Sequence, residues 1–103
     1  MADDDRQKKV SRRRRKQGPS GGEAVRGARE QLYELIGRPV EQVLALERND
    51  EGNWEVLVQV VELERIPNTT HVLGAYLVNL DEDGEVESYR RIRRYVRSQA
   101  DED

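Results

Sequence analysis

The stretch Trp54-Glu-Val-Leu-Val-Gln-Val-Val61 decides the fold of this 103-residue chain. Its apolar side chains recur at every second position, and four of them share one face: Trp54, Val56, Val58 and Val60. The other face is mixed and consists of Glu55, Leu57, Gln59 and Val61. A period of two in β-branched residues predicts a strand that buries one face and leaves the other partly in water.

Three further strands are predicted around this one. They are Val40 to Arg48, Val72 to Leu80, and a strand that starts at Glu85 and runs through Tyr89 towards Tyr95. The polar turns 49–53 and 81–84 each contain a glycine, which adopts positive φ without steric cost. Pro67 interrupts the connection between the second and third strands. Connections this short favour an antiparallel meander.

A helix is predicted before the strands, from Glu23 to Ile36. Its apolar residues fall on one helical face, at Ala24, Ala28, Leu32, Leu35 and Ile36. Gly37 supplies a C-terminal stop, and Pro39 prevents continuation. The predicted fold class is therefore α+β, with one N-terminal helix packed on a four-stranded antiparallel meander sheet.

The charge of the chain is divided unevenly along its length. Residues 1–22 contain eight Lys or Arg and three Asp, a net of +5, whereas residues 23–103 contain ten Arg and eighteen Asp or Glu, a net of −8. Residues 1–22 hold almost no apolar side chains, so we predict a disordered basic tail there. The folded domain is expected over 23–97, followed by a short acidic tail over 98–103.

The composition argues against several classes of protein. The absence of cysteine removes disulfides, thiol nucleophiles and zinc–thiolate sites, and it favours a reducing compartment. The first residues lack the apolar core of a signal peptide, and no apolar run approaches the roughly 20 residues that span a bilayer. We therefore expect a cytoplasmic protein that does not contact membranes.

Residues suited to catalysis are scarce. His71 is the only histidine and is expected to be an exposed or capped loop residue rather than a ligand or proton shuttle. The acidic run 81–85 lacks the alternating acids and distant glutamate of an EF-hand, so a solvated hairpin is the better interpretation. The sequence also contains no glycine-rich phosphate loop and no Ser/His/Asp trio. We predict no catalytic residues, no metal site, no cofactor and no enzyme activity.

The segment Tyr89-Arg-Arg-Ile-Arg-Arg-Tyr-Val-Arg97 is rich in the residue types that dominate protein interfaces. Strict alternation along a strand places five of its side chains on one face: Tyr89, Arg91, Arg93, Tyr95 and Arg97. Two compatible interpretations stay open. In the first, the segment is a protein-binding hot spot. In the second, it is an edge strand whose charge keeps the protein monomeric and whose arginines pair with glutamates at 55, 62 or 64 on neighbouring strands.

Two ordered motifs resemble those of a known family. They are Glu62-x-x-Arg65-Ile66-Pro67 and Tyr89-x-Arg91-x-x-Arg94-Tyr95, and between them lie the strand Val72-Leu-Gly-Ala-Tyr-Leu-Val78 and the turn Asp83-Gly-Glu85. Over roughly residues 24–97 the chain is similar to the gas vesicle protein O (GvpO) family. The basic tail lies outside this resemblance.

The resemblance implies a non-enzymatic accessory protein for building gas vesicles, the hollow protein-walled compartments that give some bacteria and archaea buoyancy. The implied partners are other gas vesicle proteins, either accessory factors or the hydrophobic shell subunit, and the implied location is the cytoplasm, at the vesicles. We expect a docking surface made of Tyr89, Arg91, Arg94 and Tyr95, with Arg65 and Pro67 fixing the loop after the second strand. Trp54 is expected to anchor the helix against the sheet.

The basic run Arg12-Arg13-Arg14-Arg15-Lys16 supports an alternative function. Clustered arginine neutralises phosphates and releases counterions, so the alternative is a regulator that binds nucleic acid through this tail. The acidic body and the absence of an RNA-recognition signature weigh against it. The sequence leaves the oligomeric state open.

Overall fold

The computed structural model describes residues 18–102, with side chains as far as residue 99. Its elements are α1 (Gly21–Ile36), β1 (Val40–Arg48), β2 (Trp54–Leu63), a 3₁₀ turn (Asn68–Thr70), β3 (Val72–Leu80), β4 (Val86–Val96) and α2 (Arg97–Glu102). The strands pair in the order β1-β2-β3-β4, and all pairs are antiparallel. This arrangement confirms the predicted α+β fold of one helix on a four-stranded meander.

The start of α1 is set by a capping box that the sequence analysis overlooked. The Ser20 hydroxyl accepts the Glu23 N–H at 3.2 Å, and the Glu23 carboxylate accepts the Ser20 N–H at 2.8 Å. This pair satisfies two backbone donors, so α1 begins at Gly21 and not at Glu23 as predicted. Gly37 ends the helix in the left-handed conformation with φ 74°, as expected. Residues 1–17 of the predicted tail lie outside the described residues.

The main core lies between α1 and one face of the sheet, called here the helix side. Its fully buried members are Ala24, Ala28, Leu32, Val56, Val58, Val60, Val78 and Leu80. Trp54 packs against this core, and its indole N–H donates to the Pro19 carbonyl at 2.8 Å. Trp54 therefore holds the segment just before α1 against the sheet. This agrees with its predicted role as the anchor of the helix.

Both hairpin turns use the same pattern of hydrogen bonds. In the β1–β2 turn, the Asn49 side-chain oxygen accepts two backbone N–H groups at 2.9 and 3.0 Å. The Asp81 carboxylate does the same in the β3–β4 turn, at 2.9 Å each. Gly52 and Gly84 occupy the fourth position of each turn with φ of 85° and 86°, a region that favours glycine. The acidic run that begins at Asp81 is thus a hairpin turn, as predicted.

Most of the acidic segment predicted over 98–103 lies in the short helix α2. β4 passes directly into α2, and the Arg97 N–H donates to the His71 carbonyl at 2.9 Å. The Arg97 side chain also donates to the Asn68 carbonyl at 3.2 Å. These bonds fasten the start of α2 to the β2–β3 connection.

Candidate protein interface

Two clusters of polar side chains, one on each face of the sheet, connect β2 to β4 across the intervening strand β3. Gly74 and Ala75 are small neighbouring residues of β3 that face opposite sides of the sheet, and Gly74 makes room for one of the clusters. An ideal Cβ on Gly74 would lie 2.7 Å from the carboxyl carbon of Glu62. The Glu62 side chain therefore occupies the space that a larger residue at position 74 would fill, and this brings it within reach of β4.

The cluster on the helix side centres on the Glu62 carboxylate. Tyr76 donates its hydroxyl to Oε2 of Glu62 at 2.5 Å, and Arg91 donates to both carboxylate oxygens at 3.0 and 3.1 Å. The Nε of Arg94 lies 3.4 Å from Oε1 of Glu62 and adds a second positive charge. The Glu62 side chain is only 10% exposed, whereas those of Arg91 and Arg94 are 45% and 55% exposed. The expected pairing of the last strand with a glutamate is confirmed for Glu62.

The surroundings of Glu62 keep its carboxyl group ionised. Burial alone raises the pKa of this group, but the hydrogen bonds from Tyr76 and Arg91 and the charges of Arg91 and Arg94 outweigh burial. The pKa of Glu62 therefore lies below its ordinary value of 4.5. Burial, with the hydrogen bond to Glu62, raises the pKa of the Tyr76 hydroxyl. At neutral pH the cluster combines one carboxylate, one neutral tyrosine and two guanidinium groups, so it keeps a net positive charge.

The cluster on the opposite, open face centres on the Tyr95 hydroxyl, which donates to the Gln59 side-chain oxygen at 2.6 Å. The Gln59 amide donates in turn to Glu41 at 2.8 Å, and Arg97 donates to both oxygens of that carboxylate at 3.1 and 2.6 Å. The Arg97 hydrogen bond, opposed by burial, keeps the pKa of Glu41 below its ordinary value of 4.5. Tyr95 is only 8% exposed and packs with Leu73. The network ties β1, β2 and β4 together.

A β-bulge in β4 overturns the predicted assignment of its side chains to faces. Ala75 pairs with Arg93 and Tyr76 pairs with Arg91, so Ile92 is an extra residue without a partner on β3. The extra residue reverses the alternation after position 91. The helix side carries Tyr89, Arg91 and Arg94, and the open face carries Arg90, Arg93 and Tyr95. The prediction that Tyr89, Arg91, Arg93, Tyr95 and Arg97 share one face is wrong.

The six predicted interface residues consequently do not form one continuous surface. Three of them are exposed on the helix side of β4, namely Tyr89, Arg91 and Arg94. Tyr95 is buried on the other face and stabilises the sheet. Arg65 and Pro67 are exposed in the β2–β3 connection, where the Pro67 carbonyl accepts the N–H and the hydroxyl of Thr70 at 3.0 and 2.7 Å.

The residues that connect the strands were not predicted from the sequence. Tyr76, Gln59 and Glu41 received no role, although each forms a side-chain hydrogen bond inside one of the two clusters. The available signal was the pair Gly74-Ala75 in the middle of an otherwise bulky strand. Glycine in a strand interior often marks the close approach of another group, and here that group is the Glu62 carboxyl.

The β4 arginines, defined as Arg90, Arg91, Arg93 and Arg94, form a concentration of positive charge on an edge strand. All four residues are exposed, and no acidic residue occurs between Glu87 and Asp101. The guanidinium group of Arg93 lies over the Tyr95 ring, 4.7 Å from its centroid. Because of the bulge, the β4 arginines are divided between the two faces of the sheet.

The described residues contain no group of side chains arranged to hold a metal ion. Within residues 18–102, no three His, Asp or Glu side chains converge as they do in a metal site. The His71 ring nitrogen Nδ1 lies 3.3 Å from a terminal nitrogen of Arg97. His71 therefore contacts the first residue of α2 from the β2–β3 connection, as expected of a capped loop residue. In the same part of the chain, no helix is both long and apolar enough to cross a membrane. The basic run Arg12 to Lys16 lies outside the described residues.

The chain is similar to proteins of one family. The chain matches the family model described as "Gas vesicle synthesis protein GvpO" over residues 6–101. This range is longer than the predicted 24–97 and includes the basic run Arg12 to Lys16, so the expectation that the tail lies outside the family match is wrong. It is 46% identical over 85 residues to gas vesicle protein O of Streptomyces sp. strain CB03234, a match that covers 82% of this chain and 66% of the relative. It is 37% identical over 76 residues to gas vesicle protein O1 of Halobacterium salinarum, covering 74% of this chain and 63% of the relative. The chain thus spans just under two thirds of the length of these relatives. No solved structure gives a significant match. The chain belongs to the gas vesicle synthesis protein GvpO family.

Proposed function

We propose that this chain is a non-enzymatic docking module that binds other gas vesicle proteins during vesicle assembly, in the cytoplasm at the growing vesicle. Its relatives are named gas vesicle protein O and O1, and membership of the same family supports a role for this chain in gas vesicle synthesis. The proposed partner is an accessory factor or the shell subunit.

The observation that carries this proposal is the exposed group of β4 arginines on a body that is otherwise acidic. Residues 23–103 have a net charge of −8 even with these arginines included. Arginine is enriched among the residues that dominate the binding energy of interfaces. A patch of one sign on a body of the other sign also orients an incoming partner and selects one with complementary charge.

Three of the β4 arginines are held in position before a partner binds. Glu62 holds Arg91 and Arg94, and the Tyr95 ring lies beneath the guanidinium group of Arg93. An interface that immobilises a long side chain loses about 0.5–1.5 kcal/mol of conformational free energy for each one. Side chains that are already ordered avoid part of this loss. The two polar clusters therefore prepare the surface for binding.

The proposal is tested by a pull-down from a host that co-expresses a full set of gas vesicle genes. The variant Arg90→Ala/Arg94→Ala removes two exposed charges from β4 and leaves the buried Tyr95 network in place. The control Arg26→Ala/Arg29→Ala removes the same charge from the exposed surface of α1. Both variants are first checked for a cooperative urea transition. We expect the wild type and the control to retain gas vesicle proteins and the β4 variant to lose them.

Two other outcomes have defined meanings. If the folded β4 variant retains the same gas vesicle proteins as the wild type, docking through the β4 arginines is wrong. If the wild type retains only nucleic acid, and does so only when residues 1–22 are present, the alternative of a nucleic-acid-binding regulator that acts through Arg12 to Lys16 replaces the docking proposal.

A further inference from the structure

We infer that the outer edge of β4 accepts an acidic, extended segment of a partner protein as a fifth strand of the sheet. This inference rests on the proposed docking function, and it specifies the chemistry of the bound segment and the way it binds. The occupant is a run of Asp or Glu spaced by other residues in a different protein, and not a second copy of this chain.

The backbone of β4 provides the template for such a strand. β4 is the longest strand of the sheet, with 11 residues, and it lies at the edge of the strand order. One side pairs with β3, and no strand among residues 18–102 pairs with the other side. An edge strand presents a row of unpaired N–H and C=O groups, and strand addition to such an edge is a recurring mode of peptide recognition.

The side chains of β4 determine the charge of the segment that fits. The bulge at Ile92 places Arg91 and Arg94 on the helix side and Arg90 and Arg93 on the open face. Side chains of an added strand alternate between the same two faces, and their Cβ atoms come within about 5 Å of those directly opposite on β4. Acidic residues at alternate positions of the added strand lie on one face of the sheet. They meet Arg91 and Arg94 if that face is the helix side, and Arg90 and Arg93 if it is the open face.

The same charge excludes two occupants that this chain itself offers. A second copy that pairs its own β4 with this one brings arginines opposite arginines, and like charges directly opposite each other destabilise a strand pair. The run Arg12 to Lys16 is also basic and meets the same repulsion. Positive charge on an edge strand is a common means of preventing self-association. Here it leaves an acidic segment of another protein as the complementary occupant.

The probe for this inference is a ten-residue peptide in which glutamate alternates with valine, titrated into the full chain at low and at physiological salt. One control peptide has the same side chains but an N-methyl group on every amide nitrogen, so that it keeps the charge and loses the donors for strand pairing on both of its edges. A second control replaces glutamate with lysine. We expect the acidic peptide to bind at least tenfold more tightly than either control. We also expect it to slow amide hydrogen exchange within residues 86–96.

Variants of the chain test the same contact by changing β4 instead of the peptide. Arg90→Glu reverses one exposed charge on β4, and we expect it to weaken binding of the acidic peptide by about fivefold, the effect of one unfavourable cross-strand pair. Arg29→Glu makes the same charge change on the exposed surface of α1 and is expected to leave binding unchanged.

The outcomes separate this inference from the docking proposal. Equal binding of the N-methylated peptide, or unchanged exchange in β4, overturns strand addition. Failure of every acidic peptide to bind, while the pull-down still depends on the β4 arginines, overturns the inference and leaves the docking proposal in place. A protein that is dimeric in solution and becomes monomeric as the acidic peptide binds overturns the exclusion of a second copy.

Discussion

Substitution of Gly74 by alanine tests whether the Glu62 cluster depends on the space that Gly74 leaves open. The added Cβ would lie 2.7 Å from both Cδ and Oε2 of Glu62. Non-bonded carbon atoms ordinarily approach to about 3.5 Å, so the carboxyl group has to withdraw by about 0.8 Å. The hydrogen bond from the Tyr76 hydroxyl is now 2.5 Å long. If the carboxyl group withdraws by about 0.8 Å away from Tyr76, this hydrogen bond becomes longer than about 3.0 Å, the usual limit for an O–H···O bond.

Two opposing contributions to the free energy of unfolding decide whether Gly74→Ala stabilises or destabilises the chain. Loss of a hydrogen bond to a charged group costs about 1.5–3 kcal/mol. Replacement of glycine by alanine inside a strand contributes about 0.5–1 kcal/mol in the other direction, because alanine loses less backbone entropy on folding. The loss is larger, so we expect Gly74→Ala to lower the free energy of unfolding by about 0.5–2.5 kcal/mol at neutral pH.

Urea unfolding of the full chain, followed by the fluorescence of Trp54, the only tryptophan, measures this change. The substitution is then repeated in a Glu62→Ala background, where the carboxyl group that the new methyl group meets is absent. In that background Gly74→Ala is expected to be neutral or to stabilise the chain by up to about 1 kcal/mol. The general effect of replacing glycine is controlled by Gly22→Ala, whose added Cβ meets no atom within 4 Å.

The same destabilisation by Gly74→Ala in both backgrounds, within about 0.5 kcal/mol, would refute this reasoning. The cost would then arise from the β3 backbone or from the Tyr76 ring, whose Cε1 would lie 3.0 Å from the new Cβ. Position 74 would then have to stay small for a reason other than the Glu62 side chain.

Three further predictions concern stability. Tyr95→Phe leaves the buried Gln59 oxygen without its donor at 2.6 Å, so urea unfolding should show a loss of about 1–3 kcal/mol; an unchanged midpoint would mean that Gln59 does not depend on this bond. Ser20→Ala should cost about 1 kcal/mol and Ser20→Gly only a few tenths, measured by thermal unfolding; equal losses would argue against the capping box. The pKa values of Glu41 and Glu62 lie below 4.5 in the folded chain, so the unfolded state binds more protons at acidic pH. The resulting stability is present above about pH 4.5 and is lost as the pH falls through the folded pKa values. Glu62→Gln should therefore flatten the acid limb of a stability profile measured from about pH 6 to pH 3, and an unchanged limb would contradict its role.

The elements of the fold follow closely from the sequence. The observed bounds of β1 and β3 agree with the prediction at both ends, because glycine-containing polar turns and Pro67 leave the chain few alternatives there. The start of α1 was predicted two residues late because the reciprocal bonds of Ser20 and Glu23 were not considered. Both results depend on interactions within a few residues.

The candidate interface was predicted less well, for a physical reason that β4 illustrates. Five arginines and two tyrosines mark the segment 89–97 as unusual, but strict alternation assigned Tyr95 to the exposed surface. The bulge at Ile92 places Tyr95 on the opposite face from Tyr89, where it is buried. A bulge depends on how a strand pairs with its neighbour, and nothing within β4 itself indicates where the extra residue lies.

The sequence by itself determined that this chain forms a helix and four antiparallel strands and that its last strand is rich in arginine. Periodicity, turn residues and charge are local properties, so they can be seen without knowing which strands meet. Only the tertiary structure decided that Glu62 binds Arg91 and Arg94 and that Tyr95 is buried against Gln59. These contacts join residues about 30 or more positions apart, and they form because the register of three strands brings the side chains together over the small residues Gly74 and Ala75.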